Sequence, residues 1–161
     1  MQNYPATTPS IKYLDQYSEE YIYAALVKYL KQNGYKVQKD NRLKEAEKAD
    51  RIIVASRFFK KEIIEVKGYP VNQENQNTVT PKASAKSWFS VALFNSFVNF
   101  SSFTDAEIAM ALPNVGRYKT IISNLNDYFT VNDLYFRLYL INEDGSVEVS
   151  NLNQKYLHLA S

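Results

Sequence analysis

Apolar positions along this chain recur with two periods, and the switches between them mark out the elements. After Ser18, the residues Ile22, Ala25, Leu26, Tyr29 and Leu30 return at helical spacing. Ser18 has the chemistry of an N-cap, Glu19 and Glu20 put acids in the first turn, and Gly34 supplies a stop. The pattern predicts a helix over about residues 18–32. Tyr35-Lys36-Val37-Gln38 then alternates as a short strand, and Asp40 to Lys48 is a charged connection. Arg51 to Ser56 is β-branched and apolar, as expected of a buried strand near 51–57. Glu62 to Lys67 is a second such run near 62–68, closed by Gly68 and Pro70. Lys60-Lys61 reads as the turn between them.

Beyond an amide-rich loop over 71–79, Thr80-Pro81 opens a helix, with proline at its first position. Ala85, Trp88, Phe89, Ala92, Leu93 and Ser96 form its inner face to about residue 98. Glu107 to Leu112 is an apolar strand ending at Pro113. A helix over about 117–129 turns Ile121, Ile122, Leu125, Tyr128 and Phe129 inward. Near 134–141, Leu134, Phe136, Leu138 and Leu140 alternate with Tyr135, Arg137 and Tyr139, and Asn142 to Gly145 turns the chain into a last strand from Val147. Pro5 and Pro9 make residues 1–17 an extended arm. Helix, three strands, helix, strand, helix and two strands make one α/β domain over 1–161, a mixed sheet flanked by helices.

Composition narrows the chemistry. The 161 residues are 45% apolar, enough for a core without disulfide or metal staples. The chain has no cysteine, a single histidine (His158) and four scattered glycines. That excludes thiol chemistry, cysteine zinc sites, a histidine triad and a glycine-rich phosphate loop. What is left is carboxylates, lysines and a hard metal ion. A net charge of +2 does not by itself argue for nucleic acid. No apolar run is long enough to span a membrane, and Met1 to Pro5 lacks a basic region followed by an apolar stretch. The expectation is a cytoplasmic protein without a membrane role.

Asp50 stands at the entry to the first buried strand, and Glu65-Val66-Lys67 lies within the next. Residues two apart on a strand share a face, so Glu65 and Lys67 point the same way. Asp50 and Glu65 are hard oxygen ligands suited to Mg²⁺ or Mn²⁺, with the Val66 carbonyl as a further donor. Lys67 would orient a bound water and balance charge in the transition state. In isolation, such a Glu and Lys also read as a surface pair worth little. A two-residue turn at Lys60-Lys61 would set Asp50 opposite Val71. Sharing a metal with Glu65 therefore requires a longer turn, about Arg57 to Lys61, with twist or a bulge.

On Ala49-Asp50 and Glu65-Val66-Lys67-Gly68, in this order of elements, the chain resembles the PD-(D/E)xK nuclease superfamily over about residues 18–112. Ala49 replaces the usual proline, which supplies no ligand. The resemblance implies the restriction-endonuclease-like α/β/α sandwich, of core order αβββαβ with C-terminal additions. It also implies metal-binding Asp50 and Glu65, and a catalytic Lys67. It makes Glu19 a candidate further metal ligand, and Lys82 and Lys86 candidate phosphate contacts, with Ser84 where some relatives carry Gln. These residues also read as ordinary first-turn and solvated helix charge. Trp88-Phe89 reads as helix core. The expected function is a metal-dependent nuclease acting on DNA, with Lys60 and Lys61 as additional phosphate contacts. The alternative is a catalytically silent subunit that binds nucleic acid or protein. Specificity would come from loops, a homodimer or a partner subunit.

Overall fold

The computed structural model describes residues 17–38, 51–69, 81–102 and 104–153. Within these, the chain forms α1 (Glu19–Gln32), β1 (Lys36–Gln38), β2 (Arg51–Arg57), β3 (Lys60–Val66), α2 (Pro81–Ser102), β4 (Glu107–Pro113), α3 (Gly116–Val131), β5 (Phe136–Ile141) and β6 (Val147–Leu152). The arm over 1–16, Asp50, the loop over 71–79 and His158 lie outside the described residues.

Local chemistry sets the ends of α1. The Ser18 hydroxyl accepts from the Tyr21 amide at 3.1 Å. At the other end Asn33 is the C-cap and Gly34 takes φ +78°. The Gly34 and Tyr35 amides fold back on the Lys31 and Leu30 carbonyls, a reciprocal closure that the left-handed glycine makes possible.

The strands form one six-stranded mixed sheet in chain order. β1, β2 and β3 are mutually antiparallel, β3, β4 and β5 run parallel, and β6 returns antiparallel to β5. Both parallel connections pass through a helix, as parallel pairing requires. α1 covers one face, setting Ile22, Leu26 and Leu30 on Ile53, Ile64, Ala109 and Tyr139. α2 and α3 cover the other, where Ala85, Phe89, Tyr118 and Phe129 meet Met110, Leu112, Leu138 and Leu140. The expected flanked sheet is therefore three layers of mixed α/β. No described helix is long and apolar enough to cross a membrane.

Two expectations are corrected. The hairpin turns at Phe58-Phe59, not Lys60-Lys61, so Arg57 pairs with Lys60 and Arg51 with Val66. Phe58 takes φ +54°, the sign a tight hairpin needs at its first central residue, and both rings stand in solvent. Between the Arg57–Lys60 and Arg51–Val66 pairs the register runs without a bulge, while Asp50 and Val71 lie outside the described residues. Tyr139, which alternates with Leu138 and Leu140, is buried with them, because α1 covers the second face of β5 as well. Tyr128, expected inside, is largely exposed on α3.

Candidate active site

The parallel strands dictate where a site can be built. β3 and β4 end on the same side of the sheet, so α2 and α3, which follow them, must start there. α1 starts there too. The Tyr69 amide donates to the Tyr17 carbonyl at 2.9 Å, and a side chain on Gly68 would meet that carbonyl at 2.4 Å and the Glu19 amide at 3.0 Å. Only glycine allows the first turn of α1 to lie this close to the exit of β3. The first turns of α1 and α3 thus lie beside the end of β3, where their dipoles favour negative charge.

Glu65 and Lys67 stand at this end. The register puts Glu65 between Ile52 and Met110, and its side chain, 1% exposed, faces α2. Asn95 of α2 donates to its Oε1 at 3.4 Å. Lys67 follows the last residue of β3, and its amide donates to the Ala111 carbonyl at 3.0 Å, prolonging the parallel ladder. Its Nζ lies 3.0 Å from Glu19 Oε1 and 5.7 Å from the centre of the Trp88 ring. The ammonium therefore bridges the two helical layers, held by a carboxylate from α1 and an aromatic face from α2. Tyr118 of α3 donates to the Gly68 carbonyl at 2.6 Å and pins the next residue; burial pushes its phenol above the ordinary range, so it stays a donor.

Of the sequence-predicted residues, Glu19, Glu65, Val66 and Lys67 are brought to one end of the sheet. The Val66 side chain packs in the α1-side core, between Arg51 and Ala111. Asp50 lies outside the described residues, one peptide bond before Arg51, the partner of Val66. Among the described residues no three carboxylates or histidines gather to hold a metal ion. Glu19, Glu65 and the Val66 carbonyl are nonetheless hard oxygen donors, the chemistry that Mg²⁺ and Mn²⁺ take. Lys86 is exposed on α2, while the Lys82 side chain lies outside the described residues.

Lys60 and Lys61 are not brought to this site. They begin β3, about 20 Å of extended strand from Lys67, and pair with Glu107 at 3.6 Å and Asp105 at 3.5 Å.

Two residues at or near this end were missed in the sequence. Trp88, assigned to the helix core beside Phe89, is 37% exposed and covers Lys67. Helical spacing alone puts it at the margin of the inner face, where the neighbouring layer decides its role. Arg117 stands in the first turn of α3, which carries no acid and no side-chain cap, and its buried Nε has no hydrogen-bond partner. A cation at a helix N-terminus opposes the dipole, and that conflict is readable in Gly116-Arg117 once the helix start is known.

A second polar cluster closes on itself at the opposite end of the sheet. Glu62, 1% exposed, accepts from Tyr139 at 2.5 Å and pairs with Arg137. Burial works against the Arg137 charge, yet Glu62, with the Tyr135 and Tyr139 hydroxyls, holds the guanidinium above its ordinary value. No family model, curated protein or solved structure matches this chain.

Proposed function

We propose that the chain is a Mg²⁺- or Mn²⁺-dependent nuclease of the PD-(D/E)xK type, hydrolysing phosphodiester bonds in DNA, and that its three layers are those of the restriction-endonuclease-like fold. The observation that carries this is that Glu65, near the end of β3, and Lys67, just past it, stand where the first turn of α1 brings Glu19 to the Lys67 ammonium. Further support comes from the order of elements. A helix, three antiparallel strands, a helix and a parallel strand are what that resemblance implies.

Each residue then has a role set by its chemistry. Glu65, Asp50 and the Val66 carbonyl hold the divalent ion, with Glu19 alongside. When bound, that ion polarises a phosphate oxygen and lowers the pKa of a water. Lys67 donates to the phosphate or the attacking water and balances the charge that grows at phosphorus. Glu19 and Trp88 keep its ammonium aimed. Hydrolysis adds water across one P–O bond: the water oxygen joins phosphorus, and the leaving sugar oxygen departs with a proton. Arg117 and Lys86, with Lys82, contact neighbouring phosphates.

Plasmid nicking with Mg²⁺, Mn²⁺ and EDTA tests this. The expected result is cutting with either metal and none with EDTA. Glu65→Ala should abolish cutting with the thermal melt unchanged or raised, since a buried carboxylate is removed. No cutting with any divalent metal, or normal cutting by Glu65→Ala, would overturn the proposal.

A further inference from the structure

α2 is apolar on both sides. Ala85, Phe89 and Ala92 face the sheet and are fully buried. On the opposite side Val91, Phe94, Phe97 and Val98 stand in solvent, with Phe94 67% exposed. No residue between Lys86 and Asp105 carries a charge. The serines on this outer side do not make it polar. Ser90 donates its hydroxyl to the Lys86 carbonyl at 2.9 Å and Ser101 to that of Val98 at 2.6 Å. Their polar atoms are satisfied within the helix, and they present small, quiet surfaces.

We infer that this face pairs with the same face of a second copy, antiparallel, about a two-fold axis at Phe94. The spacing is self-complementary around that residue. An axis at Phe94 sets Val98 of one copy over Ser90 of the other, Val91 over Phe97, and Ser87 over Ser101. Large side chains thus meet small or apolar ones, as ridge-into-groove packing needs, and each contact occurs twice, as a two-fold interface demands. An uncharged face offers nothing to select a charged partner and nothing to repel its own copy.

The area is sufficient. The four exposed α2 side chains present roughly 400 Å² per copy. The rings of Phe97, Phe136, Phe129 and Tyr128 meet edge-on in series, Phe136 and Phe129 beneath the surface, and on α3 and just past it Tyr128, Val131 and Leu134 are exposed. Summed over both helices, the exposed side chains reach roughly 700 Å² per copy, close to one side of a standard interface.

If the proposed nuclease holds, pairing joins two sites. Trp88, which covers Lys67, lies six residues from the axis, roughly 9 Å along the helix. One dimer would then address two phosphodiester bonds.

The absence of cysteine allows a direct test that needs no metal and no DNA. Phe94→Cys lies on the axis and should form a covalent dimer under mild oxidation. Phe59→Cys, fully exposed at the hairpin tip, should stay monomeric under the same conditions. By light scattering at about 10–100 µM, unmodified protein should be dimeric. Phe94→Glu should weaken association about a hundredfold or more, with the circular dichroism of the folded protein retained, by placing two like charges at the axis. A monomeric parent protein, or Phe94→Cys that cross-links no faster than Phe59→Cys, would overturn the pairing. Either outcome leaves the nuclease proposal to its own assay.

Discussion

Lys67 and Arg137 are both cations set against a glutamate, and the burial of that glutamate separates them. Glu62 is almost wholly enclosed and draws its partners from Arg137 and Tyr139. Removing the guanidinium leaves a carboxylate in the interior with no charge to balance it. Arg137→Met should therefore cost about 3 kcal/mol of stability, read as a lowered urea midpoint. The side chains of Lys67 and Glu19 keep 14% and 27% of their exposure, so solvent screens their attraction. Lys67→Met should change stability by less than ~1 kcal/mol. A large loss for Lys67→Met, or none for Arg137→Met, would reverse the division between a site and a structural pair. Sequence spacing made Glu65 and Lys67 legible, because alternation on a strand is local. Neither Glu62 with Arg137 nor Trp88 over Lys67 was legible, because each contact joins elements that only the packed layers bring together.

At the scale of elements, the exit of β3 is where the architecture becomes specific. Gly68 lets the start of α1 lie against it, and that approach brings Glu19 to Lys67. A Cβ at Gly68 meets backbone, which cannot swing aside. Gly68→Ala should cost about 2 kcal/mol by overpacking and should separate Glu19 from Lys67. Calorimetry checks the first effect, and a double-mutant cycle of Glu19→Gln with Lys67→Met, run in the Gly68→Ala background, checks the second. An unchanged melt with intact Glu19–Lys67 coupling would contradict the role given to Gly68. Element types and order could be read from periodicity and caps, as with Ser18 and Gly34. The hairpin turn could not, since Phe58-Phe59 carries none of the usual turn chemistry while Lys60-Lys61 mimics it.

For the whole molecule, tyrosine hydroxyls tie stability to alkaline pH. Burial is the main cause that raises the phenols of Tyr35, Tyr118, Tyr135 and Tyr139 above their ordinary value. The unfolded chain releases these protons near pH 10, while the folded one retains them. Stability should be complete below about pH 10 and fall as pH rises above it. Urea midpoints between about pH 8 and 11 give the slope, and Tyr118→Phe should make it shallower. A flat profile would contradict the burial of these hydroxyls. Three layers were foreseeable from the order of elements. That both faces of β5 would be covered was not, because Leu138 and Tyr139 alternate as they would on a half-exposed strand.

The central claim is that Lys67 acts on a phosphate held at the end of β3. Its most direct test is the single-turnover rate of DNA cleavage at saturating DNA and Mn²⁺, measured beside a DNA-binding isotherm, for the parent protein and Lys67→Met. The account predicts that Lys67→Met binds DNA nearly as tightly and cuts about a hundredfold or more slowly, the scale of one preorganised electrostatic group. Equal and weak effects on rate and binding would contradict it and leave a binding module in place of a nuclease.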